Sequence, residues 1–364
     1  MRWRNAMNIT IIGFGNIGTQ FAVEFASCGH AVTVYSQKPQ DISKRVTILY
    51  DEGKTKQAEI SKTTSSMQEA IKDAELIIIA RPAFMLAQTA DEIYPYIQHG
   101  ACVALIPGTG GGEFAFKRHI QRKGITLFGL QRVPAVARLV EYGKTVRVSG
   151  KRERLFAGSI PQKNGYKYAD LFSKIFDMPC EMLSNYLCVT LTPSNPILHT
   201  TRLRCLFSDY EQGKVYETNP YFYQNWDDTS SRLLFACDEE LQTLCKVLDK
   251  LDLSGVRSLK EHYNSTTPEQ LTKTICNIKS LQGLLSPMVK TENGWIPDFT
   301  SRYFTADFPF GLAIIAQIAR LAGVDTPHID ATLAWGERMG LKTTTFSLEK
   351  YEIYTLNELL DIYK

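Results

Sequence analysis

His199 and Asp307 are the two side chains of this 364-residue sequence best suited to move a proton together. Hydride transfer to a carbonyl or imine carbon needs a nearby group that gives or takes a proton, and an imidazole held by a carboxylate meets that need. His199 closes the segment Thr192-Pro193-Ser194-Asn195-Pro196-Ile197-Leu198-His199. Asp307 lies in Ser301-Arg302-Tyr303-Phe304-Thr305-Ala306-Asp307-Phe308-Pro309. Both follow an N-terminal glycine pattern that suits a dinucleotide, so the chain reads as a two-domain dehydrogenase. Each residue also has a plainer explanation. His199 could be packed between domains and inert, and Asp307 could simply cap the apolar helix that follows it. Arg302, five positions before Asp307, carries a fork fit for a pyrophosphate or a substrate carboxylate, or for a surface ion pair. Arg138 is a second candidate of that kind.

The elements that must position these groups are legible in the hydrophobic pattern. Residues 8–12 form an apolar run that stops at glycine, as a buried parallel strand does. Gly13-Phe14-Gly15-Asn16-Ile17-Gly18 follows, then a helical pattern ended by Gly29, then a strand over residues 31–35. This strand–glycine loop–helix–strand order is the context that makes the glycine pattern a dinucleotide fingerprint. Gly13 permits the tight turn, Gly15 lets backbone approach the pyrophosphate, and Gly18 allows close packing of helix on strand. NAD-specific sites place an acid at the end of the second strand, about 20 residues past the loop. Here Ser36, Gln37 and Lys38 stand there instead. A hydroxyl and an ammonium favour the 2′-phosphate of NADP(H), with NAD(H) still open and Lys38 otherwise a solvated loop lysine.

The alternation continues with a strand over 74–80, a helix over 86–96 and a strand over 101–106 that opens onto Pro107-Gly108-Thr109-Gly110-Gly111-Gly112. Strands at 126–130 and 145–149 complete the first domain. From about residue 183 the texture becomes helical, with long segments at 231–251, 268–281 and 310–322. The expected division is residues 1–182 for an α/β Rossmann domain and 183–364 for an all-α domain.

Composition agrees with a globular enzyme and excludes several other classes. The 44% hydrophobic and 22% charged residues are ordinary, and the formal net charge of +3 gives no basic block for nucleic acid. Eight cysteines are scattered without a C-x-x-C pair, so we expect reduced thiols and neither metal site nor redox motif. The first seven residues lack the apolar run of a signal peptide, and no continuous run suits a transmembrane helix. A cytoplasmic protein is expected.

The chain resembles the octopine/nopaline (opine) dehydrogenases over nearly its whole length. The resemblance rests on the glycine fingerprint, on Pro107-Gly108-Thr109-Gly110-Gly111-Gly112-Glu113-Phe114, on Val140-Glu141-Tyr142-Gly143, on Asn195-Pro196-Ile197-Leu198-His199 and on the run from Arg302 to Gly311. The last two are specific to that family. The resemblance implies a helical second domain of the 6-phosphogluconate-dehydrogenase C-terminal type. It also implies reductive condensation of a 2-oxo acid, such as pyruvate, with the amine of an amino acid. His199 and Asp307 would be the catalytic dyad, and Arg302 the arginine that reaches the cofactor. Asn16, Ile17 and Pro82 join Gly13, Gly15, Gly18, Ser36 and Lys38 around the cofactor, while Thr109, Arg138 and Asn195 would meet substrate. Thr109 replaces an expected glutamine and residues 135–137 lack a Trp and a Cys, which leaves the amino substrate open. A homodimer also stays open.

Two other readings compete. One is a 2-dehydropantoate reductase-like or glycerol-3-phosphate dehydrogenase-like reductase, which would need a catalytic lysine; Lys273 and Lys279 sit in no segment of that type. The other is a non-catalytic NADP(H) sensor, which would not need proton-handling groups.

Overall fold

In the computed structural model, residues 6–51 and 53–364 are described. The Met1–Asn5 segment, part of the stretch read for a leader, lies outside them. The chain forms two compact units, Met1–Thr190 with Asp361–Lys364, and Leu191–Leu360. The division thus falls eight residues beyond the expected 182/183 boundary, and the last four residues return to the first unit.

The first unit is built on strands β1 (Asn8–Ile12), β2 (Ala31–Tyr35), β3 (Arg45–Tyr50), β4 (Thr55–Glu59), β5 (Lys62–Thr64), β6 (Leu76–Ile79), β7 (Cys102–Leu105), β8 (Thr126–Leu130), β9 (Val136–Glu141), β10 (Thr145–Ser149), β11 (Leu155–Ile160) and β12 (Cys180–Met182). The main sheet has the order β12-β11-β8-β7-β6-β1-β2-β5. From β5 to β8 neighbouring strands run parallel, which is the doubly wound Rossmann order. β6 and β7 are entirely buried, as expected of near-continuous apolar runs covered on both faces.

Register fixes the functional edge. Ile12 pairs with both Tyr35 and Ile79, and Ile79 with Leu105. Gly13, Ser36, Ala80 and Ile106 therefore leave the sheet at one level, along the C-terminal edge where such folds bind ligands.

A four-stranded sheet, β4-β3-β10-β9, is the element that hydrophobic periodicity did not reveal. Residues 145–149 belong to it rather than to the main sheet. It is fastened to the helix Asn16–Ser27: buried Glu24 accepts hydrogen bonds from Tyr50 Oη at 2.7 Å and Lys56 Nζ at 2.5 Å.

The second unit is mainly helical. Its helices include Ser194–Leu206, Asp228–Val247, Pro268–Cys276, Ala313–Ala322 and Pro327–Arg338. The helical domain expected here is present, and it carries in addition one hairpin, β13 (Met288–Thr291) with β14 (Gly294–Pro297). Val-Lys-Thr and Trp-Ile alternate across a turn closed by Gly294, whose φ of +139° suits only glycine. The helix expected from 231 begins at Asp228, because Asp227 caps it through the N–H of Ser230. The run Arg302–Ala322 has the length and apolarity to cross a membrane, but it is largely buried in its own unit and broken by a π-helical turn.

Candidate active site

In the first unit the glycine loop has the geometry its sequence requires. Gly13 takes φ +96°, and a Cβ there would stand 2.8 Å from the Ala80 carbonyl oxygen. A Cβ at Gly18 would fall 1.7 Å from the Gly13 oxygen, so the helix closes on the loop only without a side chain. Gly15 differs: a Cβ would meet nothing within 4 Å. That open space lies at the N-terminus of Asn16–Ser27, which carries no side-chain cap and no acid in its first turn. Free N–H groups facing open space fit a pyrophosphate. The residues present therefore suit a dinucleotide.

The neighbouring candidates divide by what already occupies them. Asn16 spends its side chain on structure, accepting the N–H of Leu139 at 2.8 Å, so its backbone is what it offers to a phosphate. Ile17 is half-buried beside it. Ser36 is buried; its hydroxyl lies 2.9 Å from Tyr142 Oη and accepts the Lys38 N–H at 3.1 Å. Lys38 is exposed and pairs with no acid among the described residues. Pro82 is exposed in the loop after β6. Arg81, just before it, lies over the Tyr35 ring and pairs with Glu92 at 3.2 Å. Arg138 stands exposed on β9 and donates to the Ala137 carbonyl. It is next to Leu139, which ties β9 to the glycine loop, and not on the glycine-rich turn with Thr109.

Thr109 is half-buried in the turn after β7. Four residues later Glu113 is fully buried; its Oε1 accepts hydrogen bonds from Thr190 Oγ1 and, at 2.9 Å, from Tyr363 Oη. Its Oε2 has no partner. Burial pushes this carboxyl up to about 7, opposed by the two hydroxyls.

In the second unit His199 and Asp307 meet. His199 Nδ1 lies 2.8 Å from Asp307 Oδ2, with the imidazole only 6% exposed. Asp307 stands at the N-cap position of the turn that follows but makes no side-chain capping bond, so its carboxylate is committed to His199 instead. A π-helical turn, Phe308–Leu312, replaces the first turn of the helix expected from 310, and a bond from Leu312 N–H to the Asp307 carbonyl closes it. Gly311 in that turn faces Pro196, where an added Cβ would stand 2.9 Å from the proline ring. The missing side chain lets the start of helix Ser194–Leu206 close on the turn that carries Asp307. Asn195 is exposed one helical turn before His199, so the two share a face. Arg302 is exposed and forms no ion pair among the described residues, which removes the surface salt-bridge explanation.

Three aromatic residues complete the surroundings of His199, and sequence reasoning missed their role. Tyr223 Oη lies 2.9 Å from Nε2, the ring of Tyr303 is 4.5 Å from the imidazole by centroids, and Phe222 packs edge-on at 5.7 Å. Tyr303 lay inside a quoted motif. Nothing in the spacing of Tyr223 marked it.

A Rossmann unit joined to a helical unit bearing a His–carboxylate pair is the architecture of a nicotinamide-dependent oxidoreductase. Residues 182–339 match the α-helical domain of the NAD/NADP octopine/nopaline dehydrogenases, and residues 8–111 match the coenzyme F420-dependent NADP oxidoreductases. These matches support the resemblance to the octopine/nopaline dehydrogenases. An opine dehydrogenase of Haliotis discus hannai is 28% identical over 317 residues, covering 81% of this chain and 78% of its own. Tauropine dehydrogenase of Arabella iricolor is 27% identical over 325 residues, with 83% and 81% covered. The fold is similar to that of octopine dehydrogenase solved with NADH and L-arginine, at TM-score 0.85, 22% identity and 98% of each chain. A ketopantoate reductase from Ralstonia eutropha reaches TM-score 0.61 at 14% identity, with 95% of this chain and 100% of its own covered, so the wider architecture is shared with that class.

Proposed function

We propose that this protein is an opine dehydrogenase: it condenses a 2-oxo acid with the amino group of an amino acid and reduces the product with NAD(P)H. The observation that carries the reading is the hydrogen-bonded His199–Asp307 pair within the segment matched to the family's helical domain. The solved octopine dehydrogenases with L-arginine and with pyruvate support these two substrate classes.

In this reading the amine adds to the carbonyl carbon, and the resulting hydroxyl must leave as water. His199 supplies that proton, and Asp307 holds the imidazole in the Nδ1–H tautomer and stabilises its cationic form. Loss of water gives an iminium carbon. Bound NAD(P)H supplies the hydride that converts it to a secondary amine. The loop Gly13–Gly18 and the free N–H groups behind it would hold the pyrophosphate. We assign Arg302 to the cofactor phosphates, since it is exposed and committed to no acid. NADP(H) is the favoured cofactor: the second strand ends on Ser36 and Lys38 with no carboxylate.

The test is NADPH oxidation that requires both a 2-oxo acid and an amino acid, with the N-(1-carboxyalkyl)amino acid identified by mass spectrometry. Oxidation with ketopantoate alone would instead support the reductase alternative, and tight cofactor binding without turnover would support the sensor.

A further inference from the structure

Both ring nitrogens of His199 have partners. Asp307 takes Nδ1 at 2.8 Å, and Tyr223 takes Nε2 at 2.9 Å. A substrate oxygen reaches the imidazole only if the phenol leaves, or else it meets the phenol.

The segment carrying Tyr223 is held too firmly to favour departure. Arg202, one turn beyond His199 and 2% exposed, donates to the carbonyls of Phe222 at 3.2 Å and Asn225 at 2.5 Å. The same guanidinium donates to Asp227 Oδ2 at 2.5 Å and Ser230 Oγ at 3.1 Å. Tyr223 thus lies between two carbonyls anchored by one buried cation. Its ring, 6% exposed, packs against Phe222 with centroids 4.9 Å apart. Arg202 is explained by this clamp and by nothing in the chemistry assigned so far.

We propose that Tyr223 is the catalytic residue that meets the substrate oxygen, with His199 delivering its proton through the phenol. The proposal rests on the opine dehydrogenase reading above. With the imidazole neutral, Nδ1–H donates to Asp307 and Nε2 accepts the phenolic O–H. Once the imidazole is protonated, Nε2–H donates to Oη and the phenolic hydrogen turns outward. The hydroxyl of the amine adduct then takes the phenolic proton and leaves as water. The O–H bond of Tyr223 breaks as the Nε2–H proton passes to Oη. An intact phenol and a neutral imidazole remain, so one proton has moved from His199 to water and no redox partner is needed. Tyr223 is held well above the usual phenol range, chiefly by burial and then by Tyr303, Tyr263 and Asp307, with Arg302 opposing, so it stays a neutral donor.

The experiment compares Tyr223→Phe and His199→Ala using NADPH, pyruvate and an amino acid panel, with cofactor affinity and thermal unfolding measured on each. The relay predicts that both variants lose about 10²–10⁴-fold in kcat, the usual worth of general acid–base catalysis, with unchanged NADPH affinity. In a second arm 3-fluorotyrosine replaces Tyr223 with its shape and hydroxyl kept, and kcat is restored well above that of Tyr223→Phe. A loss of about threefold or less in Tyr223→Phe, far short of that catalytic range, or fluorotyrosine turnover no better than that of Tyr223→Phe, would overturn the relay. Normal turnover in His199→Ala would instead overturn the parent reading of the dyad.

Discussion

His199 and Asp307 are 108 positions apart in the chain and 2.8 Å apart in space. Their bond closes within the helical unit, so it does not depend on how the first unit is placed. The pair therefore exists before cofactor binds, and its two halves can be tested separately. His199→Ala should lower kcat by about 10²–10⁴-fold with unchanged NADPH affinity. Asp307→Asn should also lower kcat, because an amide neither fixes the tautomer nor stabilises an imidazolium. Steady-state kinetics with fluorescence titration of NADPH separates these effects, and near-parental turnover in both variants would return His199 to a packing role.

Cofactor choice should follow charge at the end of β2. Lys38→Ala should weaken NADPH and leave NADH nearly unaffected, since only the former carries a 2′-phosphate. Ser36→Asp should reverse the preference by placing a carboxylate against that phosphate. It should also disturb the contact with Tyr142. Isothermal titration with both cofactors decides, and tighter binding of NADH by the parent would refute the assignment.

Arg302→Ala should raise the Kd for NADPH and leave the KM for the 2-oxo acid little changed. The opposite split, measured by the same titration and by initial rates, would make Arg302 a substrate-carboxylate clamp.

Gly311→Ala tests the packing that brings the dyad together. The new methyl would stand 2.9 Å from Pro196, so the helix bearing His199 must retreat or the π-turn must shift. Overpacking of this kind costs about 1–3 kcal/mol. Thermal unfolding should show a loss of that size. Turnover should fall more than NADPH affinity, since the glycine loop in the other unit is untouched.

Buried carboxyls give stability a pH dependence with a definite sign. Glu113 is pushed up to about 7 and Asp238, whose carboxylate accepts the Leu259 N–H at 2.7 Å, also to about 7, both chiefly by burial. In the unfolded chain each ionises near its ordinary value of about 4. The folded state therefore holds protons that the unfolded state has released. Their contribution is full below about pH 4 and is lost as pH rises through about 7. Glu113→Gln should flatten part of that slope, on the order of 3 kcal/mol, in urea unfolding measured from pH 5 to 8. An unchanged slope would show that Glu113 titrates normally.

Much of this was legible in the sequence because its signals are local. The glycine fingerprint sits between two strands that any periodicity argument finds, and the segments around His199 and Asp307 are short and contiguous. What escaped reading depends on distant pairing. β3 lies parallel to β10 with Thr47 opposite Thr145, and no local pattern announces a partner so far along the chain. Tyr223 gains its place from Arg202, whose burial could not be foreseen in a side chain that is rarely buried. The π-turn was hidden because Pro309 and Gly311 read as an ordinary helix start.

The bond from Tyr363 to Glu113 spans 250 positions. A growing chain at 5–20 residues per second therefore needs roughly 12–50 s between making the acid and making its last hydroxyl partner. The nucleotide-binding unit cannot finish before the helical unit has been synthesised, since Asp361–Lys364 belong to the former. Until Tyr363 is made, the nascent chain carries a carboxyl destined for burial with at most Thr190, itself 77 positions later, to receive it, so during translation the unit made first is the last to be completed.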